Sequence, residues 1–117
     1  IYGGVCDKEY YNSAIKIIES KVINPIFYIF SDDIEWAVEN IKLKNSKYID
    51  WNINNNSFQD LFLMSKCKHN IIANSTFSWW GAYLNYTQGK IVIAPIKWFA
   101  SKNIEEPNII PNSWIRI

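Results

Sequence analysis

Arginine, histidine, cysteine and glycine are all scarce in this chain of 117 residues: one Arg, one His, two Cys and four Gly. Twelve basic residues face eleven acidic ones, a net charge of +1. That balance gives no electrostatic footprint for a nucleic-acid backbone, so DNA and RNA are not expected partners. Cys6 and Cys67 lack CxxC spacing, and with His69 as the only imidazole the chain holds too few ligands for a zinc site. The two thiols read as buried or idle groups of a reducing compartment. No apolar run approaches the ~20 residues needed to span a bilayer, and there is no secretory leader pattern. Internal repeats and low-complexity linkers are also missing.

What remains is a composition 49% hydrophobic, enough for one compact domain with a core of its own. Asp7 can cap a helix over 8–21, in which Tyr11, Ala14, Ile15, Ile18 and Val22 recur at the three-and-four spacing of a buried face. Asn24-Pro25 breaks it. Residues 26–30 form an unalternating apolar run of strand length, as a strand buried on both faces reads. Ser31-Asp32-Asp33 ends that strand and opens a helix over 33–43, where Asp32 and Glu35 have capping-box spacing. A weaker strand at 47–50, a polar loop at 51–56 and a helix at 58–66 capped by Ser57 follow. Strands at 70–73 and 91–94 flank a helix over 76–86 with Phe77, Trp80, Ala82, Tyr83 and Leu84 as its bulky positions. Gly89 closes that unit. Residues 96–117 read as a Pro- and Asn-punctuated tail anchored by Trp98, Phe99 and Trp114.

Strands alternating with helices of about ten residues predict an α/β fold, a parallel Rossmann-like sheet with helices on both faces. In such sheets ligands bind outside the carboxyl ends of the strands. The loops at Ser31-Asp32-Asp33, at 51–57 and at Asn74-Ser75-Thr76 would share that edge. A helix starting at Ser75 directs unpaired N–H groups forward at the positive end of its dipole, with the hydroxyls of Ser75, Thr76 and Ser78 around them. An oxyanion such as a nucleotide phosphate suits that corner, and an ordinary helix cap explains it equally well.

The other candidates keep two readings each. Asp32 and Asp33 are metal-binding carboxylates or, for one of them, a helix cap. Asp60 either completes a capping box with Ser57 or accepts the N1 and N2 hydrogens of a guanine in a bidentate fork. His69, without a Ser, Cys or carboxylate partner at diagnostic spacing, reads as a structural side chain. Of Trp79 and Trp80, about 100° apart on a helix, Trp80 is assigned to the core. Sequons at Asn55, Asn74 and Asn85 carry no information in so Asn-rich a chain.

The run from Phe58 to Ala82, ending in HNIIANSTFSWWGA, with Tyr28 to Trp36 before it and Lys90 to Pro95 after it, resembles the C-terminal part of the bacterial α-1,2-fucosyltransferases of glycosyltransferase family 11. The likeness covers nearly the whole chain. It implies the second Rossmann-like half of a GT-B fold, so that residues 1–117 form one GDP-fucose-binding domain, a fragment of a longer enzyme. Transfer would go to the 2-hydroxyl of a terminal galactose, with inversion and without a metal cofactor. By this resemblance Asp60 reads the guanine, Asn74, Ser75, Thr76, Phe77 and Ser78 hold the diphosphate, and Asp32 and Asp33 lie beside the nucleotide and help to place a key arginine. The family's upstream H-x-R-R-x-D motif is absent, and residues 1–6 look like the segment just after it. The expectation is therefore weak GDP binding without fucose transfer. The resemblance also implies a cytoplasmic enzyme, with association of the full protein at the inner membrane face left open. A stand-alone α/β nucleotide- or phosphate-binding module is the alternative, and helix-strand alternation argues against an aromatic-rich carbohydrate-binding domain.

Overall fold

The computed structural model describes residues 6–41, 43, 45–49, 57–99 and 108–117. Helix α1 (Lys8–Lys21) starts where Asp7 Oδ1 accepts the N–H of Tyr10 at 2.9 Å, and it buries Tyr10, Ala14, Ile15 and Ile18. Asn24, at φ 51°, turns the chain out of it. Strand β1 (Phe27–Phe30) pairs in parallel with β2 (Ser46–Ile49) across helix α2 (Ile34–Asn40). Helix α3 (Ser57–Lys66), strand β3 (Asn70–Ile71), helix α4 (Thr76–Tyr83) and strands β4 (Val92–Ala94) and β5 (Ile115–Arg116) complete the order. The strands fall into a two-stranded sheet, β1-β2, and a three-stranded sheet, β3-β4-β5, with every pairing parallel.

Register decides which helix each side chain meets. Ile71, Ile93 and Ile115 are aligned across β3, β4 and β5. They pack with Ala14 and Ile18 of α1, together with Phe27 of β1. One residue along, Ile72, Val92 and Ala94 point to the other face and pack with Ala82, Trp98 and Trp114, as the period of two requires. Strand β4 is buried on both faces, which is why 91–94 reads as continuous rather than alternating apolar sequence.

Three expectations are corrected. The tail is not merely punctuated loop: its end becomes β5, whose Ile117 N–H also donates to Ala94 O at 3.0 Å. A two-residue pairing leaves no periodicity to detect in sequence. Helix α2 begins at Ile34 and ends at Asn40, and its cap is Asp33, whose Oδ1 accepts from Trp36 N–H, not Asp32. Helix α4 ends at Tyr83 and buries its small residues, Ser78, Gly81 and Ala82. Trp80, assigned to the core, is 47% exposed, whereas Trp79 packs against the core and donates its indole N–H to Ile109 O.

The physical reason for the inverted face is close helix approach. A Cβ at Gly81 would lie 3.0 Å from both Cβ and Cε of Met64, so any larger residue would push Met64 back by a few tenths of an ångström, and glycine lets α4 sit this near α3. Small residues therefore face the packing partners, and Phe77, Trp80, Tyr83 and Leu84 are turned outward. The expected anchors Trp98 and Trp114 are buried, with Phe99 packed beside them.

Candidate functional site

The predicted corner is built by α1 as much as by the strands. Tyr10 donates its hydroxyl to Ile72 O at 2.5 Å and to Ile93 O at 3.2 Å, which seats the start of α1 over the carboxyl ends of β3 and β4. Next to it, the Cys6 thiol interacts with the backbone of Asn74 and with the Tyr11 side chain. The Tyr11 ring meets Trp36 of α2 edge-on at 6.1 Å. The loop after β1 and the loop after β3 are thus linked through the first turn of α1. Tyr10 was open to sequence reasoning, since it precedes Ala14 by one turn, yet only its adjacent Tyr11 stood out in the helical pattern.

At α4 the cap and the anion corner are separable. Ser75 Oγ accepts from Ser78 N–H at 3.2 Å and caps the helix. Ser78 turns its hydroxyl inward, 2.7 Å from Ser75 Oγ, with bonds to Ala73 O and Ser75 O. Asn74 is buried and donates its amide to Trp98 O at 2.9 Å, tying the end of β3 to the segment after β4. Thr76 and Phe77 are exposed, and their backbone N–H groups have no partner among the described residues. The forward donors of this corner are therefore the N–H groups of Thr76 and Phe77 and the Thr76 hydroxyl. Ser75 and Ser78 shape the helix start from behind.

The carboxylates divide in the same way. Asp33 is committed to the α2 cap, and Ser31 Oγ accepts its backbone N–H at 3.0 Å. Asp32 is exposed at the carboxyl end of β1. Asp60 is half-buried in the first turn of α3 and has an interaction within the chain. It precedes Met64 by one turn, as Phe77 precedes Gly81, so the Met64–Gly81 contact brings its turn level with the start of α4. The polar loop at 51–56 and residues 1–5 lie outside the described residues, and the side chain of Ser57 does too. His69 is structural, as read: its Nδ1 accepts Ile91 N–H at 2.9 Å. A cleft of about 600 Å³ lies at the opposite edge, lined by Glu19, Val22, Pro25, Phe27 and Leu43, and takes no part in this corner.

Burial suppresses ionisation in this cluster at the start of α1. The Cys6 thiol is pushed up to about 11, mainly by desolvation, and Tyr10 and Tyr11 are raised by the same cause. These acids are neutral in the fold and more easily ionised once unfolded. Their contribution to stability is complete below the ordinary thiol value near 9 and declines as pH rises toward 11. The chain is expected to lose stability between pH 9 and 11, read as a falling urea midpoint by circular dichroism, and Cys6→Ser is expected to flatten part of that slope. A midpoint constant across that range would refute the assignment.

Comparison with known proteins adds an independent finding. A family model, Glycosyl transferase family 11, matches residues 1–117. The chain is 42% identical over 120 aligned residues to the O-antigen biosynthesis glycosyltransferase WbnK of Escherichia coli, covering 99% of this chain and 38% of that protein. It is 40% identical to an alpha-1,2-colitosyltransferase of Escherichia coli, covering 97% of this chain and 40% of that protein. A galactoside alpha-(1,2)-fucosyltransferase 2 of Pongo pygmaeus is 31% identical over 84 residues, 70% of this chain and 24% of that protein. The chain spans about two-fifths of the length of the bacterial relatives it matches. No solved structure gives a significant match.

Proposed function

The chain belongs to glycosyl transferase family 11, and from that membership we propose that it forms the donor-binding part of an inverting, metal-independent α-1,2-fucosyltransferase with a GT-B architecture. The donor is GDP-fucose and the acceptor the 2-hydroxyl of a terminal galactose in a glycan. The observation that carries this reading is the exposed first turn of α4, with the N–H groups of Thr76 and Phe77 pointing outward at the carboxyl edge of a parallel sheet. As the bond from fucose to the β-phosphate breaks, negative charge grows on GDP. N–H donors fixed at a helix N-terminus stabilise that charge without reorganising.

In this proposal Asp60 holds the guanine, one helix over, and Asp32 orients an arginine that contacts the phosphate. Arg116, the chain's only arginine, donates to Ile96 O at 2.7 Å. The sequence contains no H-x-R-R-x-D motif, so in this proposal the 117 residues bind GDP and do not transfer fucose. The colitosyltransferase relative, similar over 97% of the chain, favours a second reading in which the sugar is colitose and the nucleotide corner serves the same purpose.

Calorimetric titration with GDP and ADP tests the donor site. Thr76→Pro removes the N1 amide hydrogen at a position where proline is compatible with a helix. It is expected to weaken GDP binding about tenfold, the worth of one hydrogen bond to a charged group, while Thr76→Val, which keeps the N–H, costs less. Absence of GDP binding, or equal affinity for ADP, overturns the nucleotide assignment. Turnover of GDP-fucose by this chain alone overturns the division of labour.

A further inference from the structure

Strand β4 stops at Pro95, and that proline leaves a gap in the ladder to β3. Asn70 pairs with Val92 and Ile71 with Ile93; the N–H of Asn70 donates to Ile91 O and that of Ile72 to Ile93 O. In this parallel register the next bond would run from the N–H of residue 95 to Ile72 O. Proline has no N–H, so the ladder cannot supply that donor. Ile72 is fully buried, where a backbone carbonyl needs a partner. The Tyr10 hydroxyl reaches it from α1 at 2.5 Å. Its approach to Ile93 O is longer, 3.2 Å, and that oxygen already accepts the Ile72 N–H at 2.9 Å, so the single phenol hydrogen serves chiefly Ile72.

We propose that Tyr10 is a positioning residue for the donor: by standing in for the amide that Pro95 lacks, its hydroxyl fixes the Ile72 peptide and with it the direction of the Thr76 and Phe77 N–H groups. This rests on the reading of that corner as the diphosphate site. Only Ala73 and Asn74 separate Ile72 from the Ser75 cap. Ala73 O accepts from Ser78 Oγ and the Asn74 amide donates to Trp98 O, so the downstream end of this link is held by α4 and by the segment after β4. The Tyr10 bond holds its upstream end. Without that bond Ile72 O is buried and unpaired, and the peptide turns toward another donor. The turn is passed to the start of α4, where the aim of each N–H decides how well it meets a phosphate oxygen. Asp60 is carried by α3, to which Tyr10 makes no hydrogen bond among the described residues, so the base contact should not feel the change.

The test combines Tyr10→Phe, which keeps the ring and removes the hydroxyl, with Pro95→Ala, which restores the ladder N–H. Nitrogen–proton correlation spectra of the ligand-free chain are expected to show the amides of Thr76 and Phe77 shifted in Tyr10→Phe. Titrations followed in the same spectra should show GDP bound about fivefold more weakly, with guanosine, which has no phosphate, bound as before. Adding Pro95→Ala to Tyr10→Phe should return the GDP affinity to within about twofold of the unaltered chain. Unmoved Thr76 and Phe77 amides, an equal loss for GDP and guanosine, or no recovery with Pro95→Ala overturns the proposal. Should Tyr10→Phe alone fail to fold, a double variant that folds and binds GDP supports it, and one that stays unfolded overturns it. Shifted amides with GDP bound equally by both chains overturn the role of Tyr10 and leave the donor site standing, whereas absence of GDP binding by the unaltered chain overturns the donor site itself and this role with it.

Discussion

Asp60→Ala is expected to weaken GDP binding by about a hundredfold and to leave ADP binding unchanged. The carboxylate would accept two hydrogens from guanine, each bond charge-assisted, and losing the pair costs about 3 kcal/mol even at the lower end of such interactions. Adenine presents no matching pair of donors, so the selectivity rather than the overall affinity reports the contact. Asp60 also interacts within the chain, so a thermal melt accompanies the titration. Asp60→Asn keeps the shape and one acceptor, and should fall between the two. A parallel loss for GDP and ADP would show that Asp60 only supports the start of α3, and no loss at all would remove it from the site.

The largest stability effect is expected at Asn85, which is fully buried. Its Nδ2 donates to Cys67 O and to Asn70 Oδ1, both at 2.7 Å, and its Oδ1 accepts from Thr87 N–H at 3.0 Å. Asn70 in turn donates to Met64 O at 2.8 Å, so the pair clips the ends of α3 and α4 to the start of β3. Asn85→Ala removes three hydrogen bonds and strands the buried Asn70 amide oxygen, and is expected to cost about 3–4 kcal/mol. For a domain of this size that lowers Tm by roughly 12–16 °C. Combining it with Asn70→Ala should cost less than the sum, because each removes the other's partner. Additivity within 0.5 kcal/mol would mean that the two amides act independently. The same burial places the Asn85 sequon out of reach in the folded chain.

These two residues also show where sequence reading succeeds and where it stops. The element order from α1 to β4 follows from local signals: Asp7 and Ser75 as caps, Pro25 and Gly89 as breaks, and the apolar runs at 26–30 and 91–94. The family likeness lies in the continuous motif from His69 to Ala82, and needs no structure either. Asn85, by contrast, sits in a polar sequence, and nothing around it announces a fully buried amide. Its role depends on Cys67 and Asn70, brought near by the turn back into β3.

The sequence by itself determined an α/β chain of parallel strands and the membership that its long motif carries. Those properties follow from periodicity, capping and contiguous residues, which act over one or two turns of backbone. Only the tertiary structure decided which side chains at Asn74 to Ala82 face the corner. Packing against Met64 put Gly81 and Ala82 inside and Trp80 outside, and the cap turned Ser78 inward while leaving the N–H groups of Thr76 and Phe77 forward. It also recruited Tyr10 to hold β3 and β4, and made a strand of the tail. Those outcomes depend on contacts between residues distant in the chain, where steric fit and shared hydrogen bonds override local preference.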